Sequence, residues 1–322
     1  MKFIPTILSI VVLSIILAAG VSAQAPAGPS IDLIEASDSG ISNSDNITNI
    51  KELKFTVTNV TPGAVVEIYR NGVLRHSMTA TQASVAFTDA AIQEDGEYQY
   101  LVRERLNGTP SAYQSLNVVV DTVAPDVAID QASAQPDPTN GLPVRFFIES
   151  SEEIVGLEPW DIVLSGTILG LENAHVNLEG AGNQFLISVS EIFPHGVLQA
   201  RLAEGSVEDL AGNASKQSTS FDNMVGLDTA SPTATITRTN GQPAATNTLP
   251  VKFSVTFNEP VSDFSANDIS LAGSTANVSA ATIELVGTSA SYQVTIGGIT
   301  SDGGIVMINI PGGAVKDMAT NP

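Results

Sequence analysis

The side chains in this sequence best suited to chemistry are oxygen donors. Its 322 residues hold 34 Asp+Glu against 13 Lys+Arg, three His and no Cys, for a formal charge of −21. No thiolate nucleophile, Cys-based zinc or iron–sulfur site, or disulfide is available. His76, His175 and His195 sit in unrelated local contexts, and none belongs to a His-Glu-x-x-His helix. There is no Gly-x-Ser-x-Gly elbow and no P-loop. Glu152 and Glu153 are adjacent on a strand-like pattern, so they point to opposite faces and do not converge for acid–base work. The chain is read as non-catalytic.

Carboxylates, amide carbonyls and hydroxyls can instead hold a hard divalent cation. Calcium takes six to eight oxygens, supplied largely by flexible loops. The segment Asp38-Ser-Gly-Ile-Ser-Asn-Ser-Asp45 offers two carboxylates around a turn-forming Gly40. A second group is Asp121 with Asp209-Leu-Ala-Gly-Asn213, and a third is Asp228 with Asp317 and Asn321. The expected metal ligands are therefore Asp38, Asp45, Asp121, Asp209, Asn213, Asp228, Asp317 and Asn321, with calcium as the ion. Glu152 and Glu259 match each other within an internal repeat and are candidates to join; Asp161 and Asp268 also match. Asp137 is matched by Ala244, which argues against a ligand there. The competing reading is that Asp, Asn and Gly simply make good turns through local hydrogen bonds. Trp160, the single tryptophan, is read as capping the edge of a core, with stacking on sugar as the alternative.

The elements that must position these residues are β-strands in a tandem repeat. Asp121-Thr-Val-Ala-Pro125 matches Asp228-Thr-Ala-Ser-Pro232. Thr139-Asn-Gly-Leu-Pro-Val-Arg-Phe146 matches Thr246-Asn-Thr-Leu-Pro-Val-Lys-Phe253, also at a shift of 107 residues. The shift becomes 108 by Val315-Lys-Asp-Met-Ala-Thr-Asn321, the match of Val207-Glu-Asp-Leu-Ala-Gly-Asn213. Such a shift signals tandem domains. Val144, Phe146 and Ile148 alternate with polar or outward residues, as do Val251, Phe253, Val255 and Phe257. Several short strands of this period, separated by Gly, Pro, Asn and Ser, predict two-sheet sandwiches. Short helical turns are expected near Pro159–Asp161 and Ala266–Asp268. Residues 30–120 form another β unit, unlike the repeat, with Asn71-Gly72 as a hairpin turn. Tyr98 and Tyr100 read either as an immunoglobulin-type tyrosine corner with Tyr100 in place of a cysteine, or as two ordinary core tyrosines.

Met1 to Ala23 reads as a secretory signal peptide, from Lys2, the apolar stretch 7–19 and Val21-Ser22-Ala23. No second long apolar run follows, so no membrane span is expected after it. The acidic excess excludes nucleic acid as a partner, since phosphate neutralisation needs clustered Lys and Arg. The expected organisation is a signal peptide (1–23), a linker (24–29) and three sandwiches at 30–121, 122–227 and 228–322. The last lacks a match for Phe221–Val225, so the third sandwich is expected to miss its last strand and the natural protein to continue.

Residues 122–322 resemble the bacterial Ig-like repeats of large secreted and surface proteins, on the Asp-Thr-x-x-Pro junctions, on residues 246–261 and on Asp209-Leu-Ala-Gly-Asn213. Residues 34–121 resemble another bacterial Ig-like type, opening at Ala36. The resemblance implies an all-β chain of tandem immunoglobulin-like sandwiches, secreted or on the cell surface. It would act as a structural or adhesion array whose partners are neighbouring modules and a surface or matrix glycan or protein. It also implies that junction aspartates bridge consecutive modules through calcium, giving a stiffened, rod-like spacer. The alternative it leaves open is an accessory, carbohydrate-binding region of a larger secreted enzyme.

Overall fold

The computed structural model describes residues 28–92, 94–193, 195–300 and 302–322. The segment read as a signal peptide, and all but the end of the expected linker, lie outside the described residues. Among those described, no helix is long and apolar enough to cross a membrane. The described residues are all-β, in immunoglobulin-like sandwiches, with only short 3-10 turns besides. It divides into two compact units, one of residues 28–38 and 50–120, the other of residues 39–49 and 121–322.

In the first unit, Ser30–Leu33, Leu53–Thr58 and Val85–Asp89 form one sheet. Gln114–Val120, Gly96–Leu106, Val65–Arg70 and Val73–Thr79 lie side by side in a second. The hairpin between the last two turns at Asn71 and Gly72, whose φ of 47° and 78° are the left-handed values that Asn and Gly tolerate. Alternate residues of the two sheets, among them Leu53, Phe55, Val66, Ile68, Val102 and Val118, close one core. Tyr98 Oη donates to the Glu94 carbonyl (2.6 Å), which is the corner bond rather than a plain core packing. Tyr100 is fully buried and donates to Asp89 Oδ2 (2.9 Å), which also accepts from Arg70 Nη1 (2.8 Å). Burial first, then the neighbouring Asp89, holds the Tyr100 hydroxyl well above its ordinary pKa. A buried, hydrogen-bonded ion pair thus joins the ends of Val65–Arg70 and Val85–Asp89 in a sandwich that has no disulfide.

The second unit contains two separate hydrophobic cores. Residues 122–227 carry the strand order Val127–Gln131, Val144–Ser150, Gln184–Ser190, His175–Ala181 in one sheet. Ile162–Gly166, His195–Leu202 and Met224–Asp228 make the other. The third repeat copies the first sheet as Ala234–Arg238, Val251–Phe257, Ser291–Gly297 and Thr282–Thr288. Its second sheet is reduced, among the described residues, to a bridge between Ser270 and Asn309. That bridge is the repeat image of the Val163–Arg201 pair.

By their contacts, residues 39–49 group with the second unit. Ser39 Oγ donates to the Ala211 carbonyl (2.7 Å) and Asn49 Nδ2 to the Gly212 carbonyl (3.1 Å). Gly40 makes this approach possible. At its φ of +89°, a Cβ would stand 2.1 Å from the Leu210 carbonyl oxygen.

Candidate metal centre

Two clusters of three carboxylates form among the described residues, at equivalent places in the second and third repeats. Asp121, Glu152 and Asp209 bring one oxygen each to within 4.8 Å of one another, and so do Asp228, Glu259 and Asp317. The repeat explains the duplication. The first aspartate opens each Asp-Thr-x-x-Pro segment. The glutamate follows the long inner strand, Val144–Ser150 or Val251–Phe257. The third carboxylate is placed by a short antiparallel contact, Ile154 with Asp209 and Val261 with Asp317.

Each buried aspartate, 1% exposed in both copies, is clamped by the asparagine four residues on. Asn213 donates from its backbone N to Asp209 Oδ1 (2.9 Å) and from Nδ2 to Oδ2 (2.8 Å). Asn321 does the same to Asp317, at 2.8 and 2.8 Å. The same Nδ2 then reaches the main-chain carbonyl of the linker aspartate, Asp121 (3.0 Å) or Asp228 (2.9 Å). The turn between them needs a left-handed residue. Gly212 supplies it in one copy with φ +87°, while Thr320 is held there at +72° in the other. Asn140 covers the second turn by donating to Asn321 Oδ1 (3.1 Å).

The electrostatics are those of crowded like charges. Burial, and then the negative charges of Asp121, Asp209 and Asp126, hold the Glu152 carboxyl above its ordinary pKa. Burial and then Asp228, with Asp317 adding, raise Glu259, against a bond from Asn258. No cation of the protein is among these causes in either copy.

Family comparison places this geometry. Residues 25–122 match one family model and residues 228–322 another, each described as a bacterial Ig-like domain. Both regions are bacterial Ig-like domains. The Ig-like domain at 228–322 therefore carries the second carboxylate cluster, and residues 122–227 are its repeat partner. No curated protein matches the sequence. Among solved structures, the fibronectin(III)-like modules of Clostridium thermocellum CbhA are 12% identical, covering 60% of this chain and 94% of theirs, at a TM-score of 0.28. A marsupial T cell receptor is 10% identical, covering 89% of this chain and all of its own, at 0.23.

The eight residues singled out as ligands divide into three kinds. Asp121, Asp209, Asp228 and Asp317 are in the clusters. Asn213 and Asn321 touch them as hydrogen-bond donors, turning N–H groups rather than oxygens toward the carboxylates. Asp38 and Asp45 belong to neither cluster. Asp45 is exposed and accepts from the Ile47 N–H (3.1 Å), the local turn bond that such residues favour. Glu152 and Glu259 complete the clusters, and their match across the repeat was the available signal. Asp161 and Asp268 do something else. Each accepts the N–H at the start of its 3-10 turn, from Glu158 (2.8 Å) and Ser265 (2.8 Å), closing a capping box. Trp160 corrects the sequence reading: it is 78% exposed and caps no core, because that turn carries it outward.

Proposed function

We propose that the chain is a non-catalytic, secreted or cell-surface array of Ig-like modules whose Asp-Thr-x-x-Pro segments are stiffened by calcium. The observation that carries this reading is the duplicated carboxylate cluster, since in each copy one ligand opens the Asp-Thr-x-x-Pro segment and two come from the repeat that follows it. An ion there would tie that segment to the repeat. The donors fit a calcium ion. With calcium–oxygen distances of about 2.3–2.6 Å, two oxygens on one ion lie at most about 5 Å apart. The all-oxygen, carboxylate-rich set favours a hard cation over a soft one. Each clamped aspartate keeps further lone-pair directions after accepting from its asparagine. Ig-like domains are structural and adhesion-type modules, and export rests on the N-terminal segment 1–23. The proposed limits of the three modules are 30–121, 122–227 and 228–322, with residues 39–49 packed as described.

The test is calorimetric titration of residues 24–322 with calcium, beside thermal unfolding in calcium and in chelator. Two sites and a raised midpoint are expected. No heat of binding together with an unchanged midpoint would refute the calcium reading. A second reading, sugar binding, is favoured by the exposure of Trp160. Titration with oligosaccharides would then shift the fluorescence of this single tryptophan, and Trp160→Ala would abolish binding.

A further inference from the structure

We infer that the residue pairs Thr48-Asn49 and Thr139-Asn140 are latches, each of which positions the first aspartate of one carboxylate cluster. The two pairs share a place in the sequence. Asn49 precedes the strand residue Leu53 by four positions, and Asn140 precedes Val144 by four. They also share their contacts. The Thr48 carbonyl accepts the Asp121 N–H (2.9 Å), and the Thr139 carbonyl accepts the Asp228 N–H (2.8 Å). Both threonines are buried, so water offers no ready replacement for either bond. These hydrogen bonds need no ion; only their effect on ion affinity rests on the calcium reading.

The asparagine of each pair reaches the other side of its cluster. Asn49 Nδ2 donates to the Gly212 carbonyl (3.1 Å), inside the turn that joins Asp209 to Asn213. Asn140 Nδ2 donates to Asn321 Oδ1 (3.1 Å) and reaches Thr320 Oγ1 (3.5 Å), in the turn that joins Asp317 to Asn321. The ring of contacts is closed by Asn213 and Asn321, which donate to the Asp121 and Asp228 carbonyls (3.0 and 2.9 Å). Each first aspartate is therefore held by both of its peptide groups. Its side chain is held too, Asp121 Oδ1 by the Val123 N–H (2.9 Å) and Asp228 Oδ1 by the Ala230 N–H (3.0 Å). A carboxylate fixed at so many points loses little further freedom when it takes a ligand, which is how preorganisation raises affinity. The second latch does more than the first. An asparagine side chain has an oxygen end and an N–H end. By donating to Asn321 Oδ1, Asn140 selects the orientation in which the N–H end of Asn321 faces Asp317 and Asp228. Asn140 lies in the second repeat and Asn321 in the third, so this latch also ties the two repeats without a metal.

The experiment compares the full chain with Asn140→Ala and Asn49→Ala, by hydrogen exchange at the Asp121 and Asp228 amides in chelator and by calorimetric titration with calcium. In chelator, Asn140→Ala should speed exchange at Asp228 and leave Asp121 unchanged, and Asn49→Ala should do the reverse. In calcium, each variant should weaken one of the two sites about fivefold, the factor for one lost hydrogen bond. Asn247→Ala is the control. Asn247 matches Asn140 in the repeat, accepts from Thr248 Oγ1 (3.3 Å), and should alter neither amide when replaced. Unaltered exchange at both aspartates in both latch variants would overturn the inference whether or not calcium binds. So would a variant that speeds both amides alike, since general loosening would then explain it, or calcium sites of unchanged affinity in both variants. Exchange altered as expected, with no heat of calcium binding in the parent chain, would uphold the latches and refute the calcium reading instead.

Discussion

The second and third repeats share a strand plan and differ in one segment. Both have the four-stranded sheet with the same order and nearly the same register. Only the second has Met224–Asp228 along its other sheet, and there Ile162–Gly166 and His195–Leu202 are regular strands. In the third, the matching residues make a single bridge. Five apolar side chains of the third repeat, Ile236, Val251, Phe253, Val306 and Ile310, are only partly buried where Ile129, Val144, Phe146, Leu198 and Leu202 are sealed. A strand here is less a unit of local propensity than a lid on two sheets, since Val225 and Leu227 contribute to burial that their neighbours cannot complete alone.

That comparison can be broken most severely at the matched phenylalanines. Phe146→Ala should destabilise the second repeat by about 3–5 kcal/mol, the range for emptying a fully packed site. Phe253→Ala should cost less, because Phe253 already meets solvent. Denaturant titration followed by hydrogen exchange in each repeat measures both, and equal losses would dissolve the distinction. The carboxylate clusters should, by contrast, behave alike. Asp209→Asn and Asp317→Asn should each remove one calcium site and leave the other. At calcium about 100-fold above the dissociation constant, each site lost should forfeit about 2.7 kcal/mol of linkage stabilisation. A variant that still titrates with two sites would show that its aspartate is no ligand.

The smallest effect is expected at Asp130, which Thr237 replaces in the third repeat. Burial acts to raise its carboxyl, but the bonds from Asp222, Ser220 and Phe221 outweigh that and set it below its ordinary pKa of 3.8. A lowered folded pKa means that the contribution is present above about pH 3.8 and is lost as pH falls through the folded value. Asp130→Asn should cost about 1 kcal/mol and flatten that acid dependence. Exchange rates of the 219–222 amides, followed between pH 6 and pH 2.5, would show it. Unchanged acid sensitivity in the variant would assign the dependence to other carboxylates.

How much of this was legible in the sequence follows from what each residue signals locally. Alternation at 144–148 and 251–257 announces strands because one face is buried at period two. Asn71-Gly72 announces its turn because few other residue pairs accept both positive φ values. The carboxylate clusters were half legible. The repeat marks Asp121, Asp209, Asp228 and Asp317, but nothing in spacing says that Glu152 lies beside Asp209, since 57 positions separate them and only the Ile154–Asp209 contact joins them. Asn213 and Asn321 carry both an oxygen and an amide N–H, so composition cannot say which end faces the carboxylate. The grouping of residues 39–49 with the second unit was hidden for a similar reason. It depends on hydrogen bonds to Ala211 and Gly212, more than 160 residues away.

Met224–Asp228 has a double role. Its apolar residues close the second repeat, and its last residue, Asp228, is also the first carboxylate of the next repeat's cluster. The strand cannot fray without withdrawing Asp228 from its neighbours, so completion of one module and readiness of the next are coupled. Damage to Met224–Asp228 should therefore weaken the second and third repeats together, the nearest-neighbour coupling expected of stacked repeats.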